Sequence, residues 1–197
     1  MKKKAVFLDR DGVINEMVYH QEHGIIDSPF TVEEFVMIPN VGKAINRFHE
    51  QGYFVVVVSN KPGIAKKHYD METFKKIKEK MKKELAKDGA TIDAEYYCFH
   101  HPVSKIEKYK KICDCRKPKP GMLLKAAKDY DIDLKKSWMI GDGLTDIQAG
   151  ISAGCKTILM GTLKCYHCAK MQELGIKTDF VSPNLYKASI ITEKERM

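Results

Sequence analysis

The sequence predicts a doubly wound, Rossmann-like α/β fold with a mostly parallel sheet, and two patterns carry that expectation. Runs of strand length that are apolar from end to end alternate with helix-period segments along the chain. Strands of that kind are buried on both faces, as when helices cover both sides of a parallel sheet. Acidic and hydroxyl residues stand just after several of these runs, where ligands gather beyond the carboxyl ends of such strands. The length agrees: 197 residues, 44% apolar and 30% charged, can bury a core without staples, and no repeat or linker divides the chain. One domain over 1–197 is expected.

The elements follow in order. "AVFLD" (5–9) is the first strand and "YFVVVVSN" (53–60) the second, with a helix over 41–50 between them. The next helix, over 70–87, places Phe74, Ile77, Met81 and Leu85 at spacings of three and four, one apolar stripe with lysines around it. "AEYYCF" (94–99) is the third strand, followed by a helix over 120–130. "SWMIGD" (137–142), a helix over 144–153 and "CKTILM" (155–160) continue the alternation, and "DFVS" (179–182) is a weaker sixth strand. The tail "EKERM" reads as a solvated end.

With 34 basic against 26 acidic residues the net charge is +8, which suits anionic partners, although a lysine-rich solvated surface accounts for much of it. The apolar run after the initial lysines covers only 5–8, too short for a signal peptide or a span, and no later run reaches spanning length. A cytoplasmic protein with reduced thiols is expected, so its six cysteines read as metal ligands or core residues rather than disulfides.

"FLDRDGVIN" places Asp9 and Asp11 at i and i+2 where a buried strand ends, with Gly12 permitting a sharp turn. One carboxylate there can ligate a hard cation and attack phosphorus, and the other can move a proton. "VVVVSN" sets Ser59 after the second strand, and "MIGDGLTD" sets Asp142 after the fourth with Asp146 one helical turn later. Three strand ends converging on carboxylates and a hydroxyl would make a Mg²⁺ site, with Lys117 to offset phosphate charge. "CFHH" (98–101) and "CDC" (113–115) flank one basic loop, and three thiolates with one imidazole suit tetrahedral zinc. Spacing leaves His100 and His101 equal as the fourth ligand.

As a set, hydrophobic-DxDG, Ser-Asn, a following lysine and GDxxxD resemble the haloacid dehalogenase superfamily of phosphatases over roughly 5–160. The resemblance implies that fold, without a large cap domain, and a phospho-aspartyl mechanism. It implies Asp9 as nucleophile and Mg²⁺ ligand, and Asp11 as general acid and base that offers its backbone carbonyl to the metal. Ser59 and Lys117 would hold the phosphoryl oxygens, Asp142 would ligate Mg²⁺, and Asp146 would support the metal shell. The pattern C-x-H…C-x-C-R-K-P is similar to the histidinol-phosphate and heptose-bisphosphate phosphatase branch. That similarity selects His100, beside Cys98, Cys113 and Cys115, as the Zn²⁺ ligand. Zinc would then close the loop so that Arg116 and Lys117 face the site. Asn60, Lys61 and Arg116 fall on the substrate side, as do His23 and Gly24, which match an H-G element of the branch's substrate loop within 16–34.

This chain departs from the heptose pattern at Lys61 and Pro62 in "SNKPG" and at Gly143 in "GDG", which bear on substrate more than on reaction. "CYHC" (165–168) has no partner pair and reads as a helical stretch. A monomeric Mg²⁺-dependent phosphatase of a small phosphorylated metabolite, such as a heptose bisphosphate, is expected. Histidinol phosphate is the alternative substrate; polynucleotide 3′ ends and a non-catalytic zinc-stabilised binding module are further alternatives. No interleaved aromatic and basic strip supports nucleic acid, and nothing calls for a membrane.

Overall fold

The fold is seen in a computed structural model that describes residues 2–195. Six parallel strands form one sheet: β1 (Lys4–Leu8), β4 (Tyr53–Asn60), β5 (Ala94–Cys98), β6 (Trp138–Gly141), β7 (Lys156–Met160) and β8 (Phe180–Ser182). Their order is β5-β4-β1-β6-β7-β8. The chain fills one side of β1 and then crosses to the other, so the β1–β6 boundary is the switch point where a crevice opens beyond the carboxyl ends.

Alternation along the strands sorts the core into two layers. Val6 and Leu8 of β1, with Val55 and Val57 of β4, face α1 (Val41–Glu50), α3 (Met71–Lys87) and α7 (Leu185–Lys194). Ala5, Phe7, Val56 and Val58 face α4 (Gly121–Tyr130) and α5 (Leu144–Ala153). The stripe foreseen on α3 is the buried one, and Asp70 caps that helix by accepting from the Thr73 amide at 2.7 Å.

The structure adds elements that the pattern did not disclose. Within 16–34 the chain folds a small antiparallel hairpin, β2 (Val18–His20) with β3 (Ile25–Asp27), and α2 (Gly63–Lys66) follows β4 directly. The 165–168 stretch lies in α6 (Cys165–Leu174), with Cys165 and Cys168 exposed. The tail agrees with its reading as a solvated end, since Glu193, Lys194 and Glu195 are exposed. Glu193 and Lys194 close α7, whose Leu185, Ala188 and Thr192 are buried, while 196–197 lie outside the described residues. Among the described residues no helix is long and apolar enough to cross a membrane.

Candidate active site

β1 ends at Leu8, and the Asp9 amide still donates to the Ile140 carbonyl at 3.0 Å, which fixes this residue across the switch point. From there the backbone turns at Gly12, whose φ of +75° is the left-handed region that glycine occupies without strain. A Cβ at Gly12 would also collide with the Asp142 carboxylate, so the turn and the β6 end are built against each other. Carboxylate oxygens of Asp9, Asp142 and Asp146 lie within 4.8 Å of one another.

Lys117 enters this cluster from the loop before α4. Its ammonium meets Asp146 at 2.5 Å, Asp9 at 3.1 Å and the Val58 carbonyl at 2.8 Å. Burial works against a charged lysine there, but Asp146 and Asp9 outweigh it and hold Lys117 above its ordinary pKa. Asn60 fixes the backbone behind it: its amide nitrogen donates to the Lys117 carbonyl at 3.0 Å, and its oxygen accepts from the Lys117 amide at 3.1 Å. The side chain assigned to substrate thus places Lys117 with both ends of its amide. Ser59 is 1% exposed, and its hydroxyl has no hydrogen-bond partner.

The carboxylates fit a hard cation. Burial, then the neighbouring charges of Asp9 and Asp146, push Asp142 up to about 7. Burial likewise pushes Asp146 up to about 6, Lys117 opposing and Asp9 assisting. Negative charge thus exceeds what one lysine offsets, the condition that oxygen-ligated Mg²⁺ relieves. Asp146 belongs in this cluster as closely as Asp142, and it also accepts from the Gly143 amide at 3.0 Å, capping α5.

Asp11 points to a different set of partners. Arg10 donates to it through Nε at 3.0 Å and Nη2 at 2.8 Å, Asn15 donates at 3.1 Å, and Lys61 forms an ion pair with its other oxygen. Although burial alone would raise it, Arg10 and Lys61 hold Asp11 well below the usual carboxylate range. Arg10 and Lys61 are fully buried. Burial, with Arg10 nearby, pulls Lys61 down to about 8 against the attraction of Asp11 and Asp9. Lys61, assigned to substrate from the sequence, is turned inward onto Asp11.

Twelve residues of loop between His100 and Cys113 separate the two ligand pairs that the fold brings together. Cys115 Sγ lies 3.1 Å from Cys98 Sγ, 3.1 Å from Cys113 Sγ and 3.3 Å from His100 Nδ1, and Cys98 Sγ lies 3.5 Å from Cys113 Sγ. Zn–S bonds of about 2.3 Å set tetrahedral S···S edges near 3.8 Å, so the three sulfurs, with edges of 3.1, 3.1 and 3.5 Å, need to open by less than about 1 Å to reach that cage. His101 faces away, its Nδ1 accepting from the Val103 amide at 3.3 Å. Arg116 turns back to this loop, donating to the His100 carbonyl at 3.3 Å.

A model of the HAD-hydrolase-like family matches residues 114–188. The D-glycero-β-D-manno-heptose-1,7-bisphosphate 7-phosphatase of Haemophilus ducreyi is 42% identical over 158 residues, covering 80% of this chain and 82% of the relative. The chain belongs to the haloacid dehalogenase phosphatases. The enzyme of the same name from Photorhabdus laumondii is 45% identical over 149 residues, covering 76% of this chain and 75% of the relative. Among solved structures, a D,D-heptose 1,7-bisphosphate phosphatase from B. bronchiseptica complexed with magnesium and phosphate superimposes with a TM-score of 0.78. It is 31% identical and covers 98% of this chain and 99% of its own.

In this phosphatase the hairpin carries the remaining assigned residues. Phe30 stacks between His20 at 3.6 Å and His68 at 4.5 Å, and His23 meets His68 edge-on at 5.1 Å. These rings line a cavity of about 440 Å³ with Tyr19 and Glu34, and Gly24 supplies a left-handed residue (φ +60°) in the connection from β2 to β3. Among the described residues no hydrogen bond or ion pair joins His23 or Gly24 to the carboxylate cluster. Arg10 and Asn15, which clasp Asp11, were not singled out from the sequence. Their positions inside "DRDGVIN" were the available signal.

Proposed function

We propose that this phosphatase hydrolyses a heptose 1,7-bisphosphate at the 7-phosphate, through an aspartyl-phosphate on Asp9. The observation that carries the reaction is the convergence of Asp9, Lys117, unpartnered Ser59 and the Asp142–Asp146 pair at the β1–β6 switch point. The names of the relatives support the substrate. Both contacts of the Asp9 side chain are made by Oδ1, with the Arg10 amide at 2.7 Å and with Lys117, which leaves Oδ2 for attack. Asp9 Oδ2 bonds to phosphorus, the P–O ester bond breaks, and the sugar oxygen takes a proton from Asp11. Asp11 then takes a proton from water, whose oxygen bonds to phosphorus and frees inorganic phosphate and the Asp9 carboxylate. A dianionic phosphate entering beside Lys61 and Arg10 competes with Asp11 for them and raises its affinity for the first proton.

Asp9, Asp142 and Asp146 would hold Mg²⁺ by side chains and Asp11 by its carbonyl. When bound, the ion offsets phosphoryl charge as a Lewis acid. Ser59 donates to a phosphoryl oxygen and Lys117 opposes the charge that grows there. Cys98, His100, Cys113 and Cys115 would bind Zn²⁺ in a closed structural site, two residues before Lys117. Arg116, His23 and Gly24 are read as contacts for the rest of the substrate. The enzyme is read as one cytoplasmic domain acting as a monomer.

The test is phosphate release from a heptose bisphosphate, histidinol phosphate and a 3′-phosphorylated oligonucleotide, with and without Mg²⁺. Preferred turnover of either of the last two would reject the substrate. Mg²⁺-dependent turnover retained in Asp9→Asn would reject the covalent step.

A further inference from the structure

We propose that Tyr69 selects the leaving group, its phenol O–H donating to an oxygen of the polyol beside the ester that Asp11 protonates. The inference rests on the heptose reading above. Tyr69 stands in the loop between α2 and α3 and was not singled out from the sequence. It is 8% exposed, and its hydroxyl proton finds no acceptor among the described residues. A buried donor in that state is costly, and a bound ligand that supplies the acceptor removes the cost.

The ring is fixed by what it packs on. A Cβ built on Gly63, the first residue of α2, would stand 2.2 Å from Tyr69 Cε1 and 3.0 Å from its hydroxyl oxygen, so the ring lies against bare backbone two residues after Lys61. Phe30 packs on it at a centroid distance of 6.0 Å, and Ile64 and Phe74 share its apolar cluster. The hydroxyl end faces charge. Arg10 and Asp11, in the turn after β1, and Asp27, at the end of β3, all act on it. Ser28 stands beside the phenol oxygen as a donor, which leaves the phenol's own proton to give. Burial pushes the phenol up to about 12, with Arg10 opposing and Asp11 assisting, so it remains a donor at neutral pH.

A second free donor shares these surroundings. Arg10 is fully buried, and its Nε and Nη2 hold Asp11 while Nη1 has no partner. Arg10 and Tyr69 act on each other electrostatically. Two donors beside the residue that protonates the leaving oxygen call for acceptor oxygens on that leaving group, which the hydroxyls of a sugar chain supply. The ammonium of an amino alcohol such as histidinol only donates, and Arg10 repels it. A nitrophenyl ester carries no hydroxyl next to its ester oxygen.

Tyr69→Phe keeps the ring and removes only the hydroxyl. The test measures kcat and KM with Mg²⁺ for a heptose bisphosphate, histidinol phosphate and p-nitrophenyl phosphate, with thermal melting alongside. Relative to p-nitrophenyl phosphate, the variant should lose at least about tenfold in kcat/KM on the heptose bisphosphate. Its preference over histidinol phosphate should narrow, and its Tm should equal or exceed that of the wild type. Equal losses on the sugar and nitrophenyl esters, no loss on either, or a lowered Tm would each overturn the inference and leave the heptose reading standing. A wild type that prefers histidinol phosphate would instead reject the heptose reading, and this inference with it.

Discussion

Lys61→Met should make this enzyme more stable and less active. The ammonium of Lys61 is fully buried and shares its surroundings with Arg10, and the two effects together draw its pKa from 10.5 to about 8. At 1.36 kcal/mol per unit, that displacement sets a ceiling of about 3 kcal/mol on the cost of carrying the charge at neutral pH. Methionine removes the charge and keeps most of the volume. Asp11 retains Arg10 and Asn15, so no carboxylate is stranded. Discounting for the small void left by one missing atom, a gain of roughly 1–2 kcal/mol remains, or a rise in Tm of about 2–8 °C for a chain of this size. The sign depends on pH. A lysine whose folded pKa is depressed binds fewer protons folded than unfolded, so the wild type becomes more stable as pH rises from about 8 to 10.5. The advantage of the variant is therefore full below pH 8 and fades above it. Thermal unfolding followed by circular dichroism at pH 7 and pH 10 measures both. Activity should fall mainly in kcat, because Asp11 loses one of the contacts that aim it. A lowered Tm at pH 7, or a difference that does not change with pH, would refute the reasoning.

Three further outcomes are expected. Lys117→Ala should lower kcat by at least about a hundredfold and destabilise by about 3–5 kcal/mol, since Asp9 and Asp146 lose a buried partner; Arg116→Ala should mainly raise KM. Steady-state kinetics and urea unfolding separate the two, and equal effects on kcat would contradict this division. Cys113→Ser should lower zinc content, measured by elemental analysis, and reduce both Tm and turnover; full zinc with unchanged melting would count against the cage. Gly12→Ala should cost more than about 1 kcal/mol and weaken Mg²⁺ activation, because its Cβ meets the Asp142 carboxylate at a left-handed φ; an unchanged Mg²⁺ titration would oppose this.

The sheet and the residues at its strand ends were legible because burial on both faces leaves uniform apolar runs, and because chemistry follows directly where each run stops. That pattern alone placed Asp9, Ser59 and Asp142 at strand ends, where the structure has them. The clasp on Asp11 was hidden because it is made by long cations, Arg10 and Lys61, whose type suggests solvent and which are instead fully buried. α7 was hidden for the opposite reason. Its buried face includes Ser189 and Thr192, and Thr192 donates to the Gln51 side chain at 2.8 Å, so apolar periodicity understates its burial. In the hairpin, strands of three residues are too short for any period to show.

The switch point also sets a timetable for synthesis. β1 finds β4 after only some fifty residues, but its other edge pairs with β6, and the Ala5 amide bonds Ser137 at a separation of 132 residues. Between the end of β4 at Asn60 and the start of β6 at Trp138, that edge has no partner in the emerging chain. At ribosomal rates of about 5–20 residues per second, the interval lasts roughly 4–16 s. During it, Val6, Phe7 and Leu8 present an apolar strand edge able to pair with another nascent copy. The arrangement that creates the catalytic crevice therefore also creates a long-range closure step, during which edge-to-edge association competes with folding.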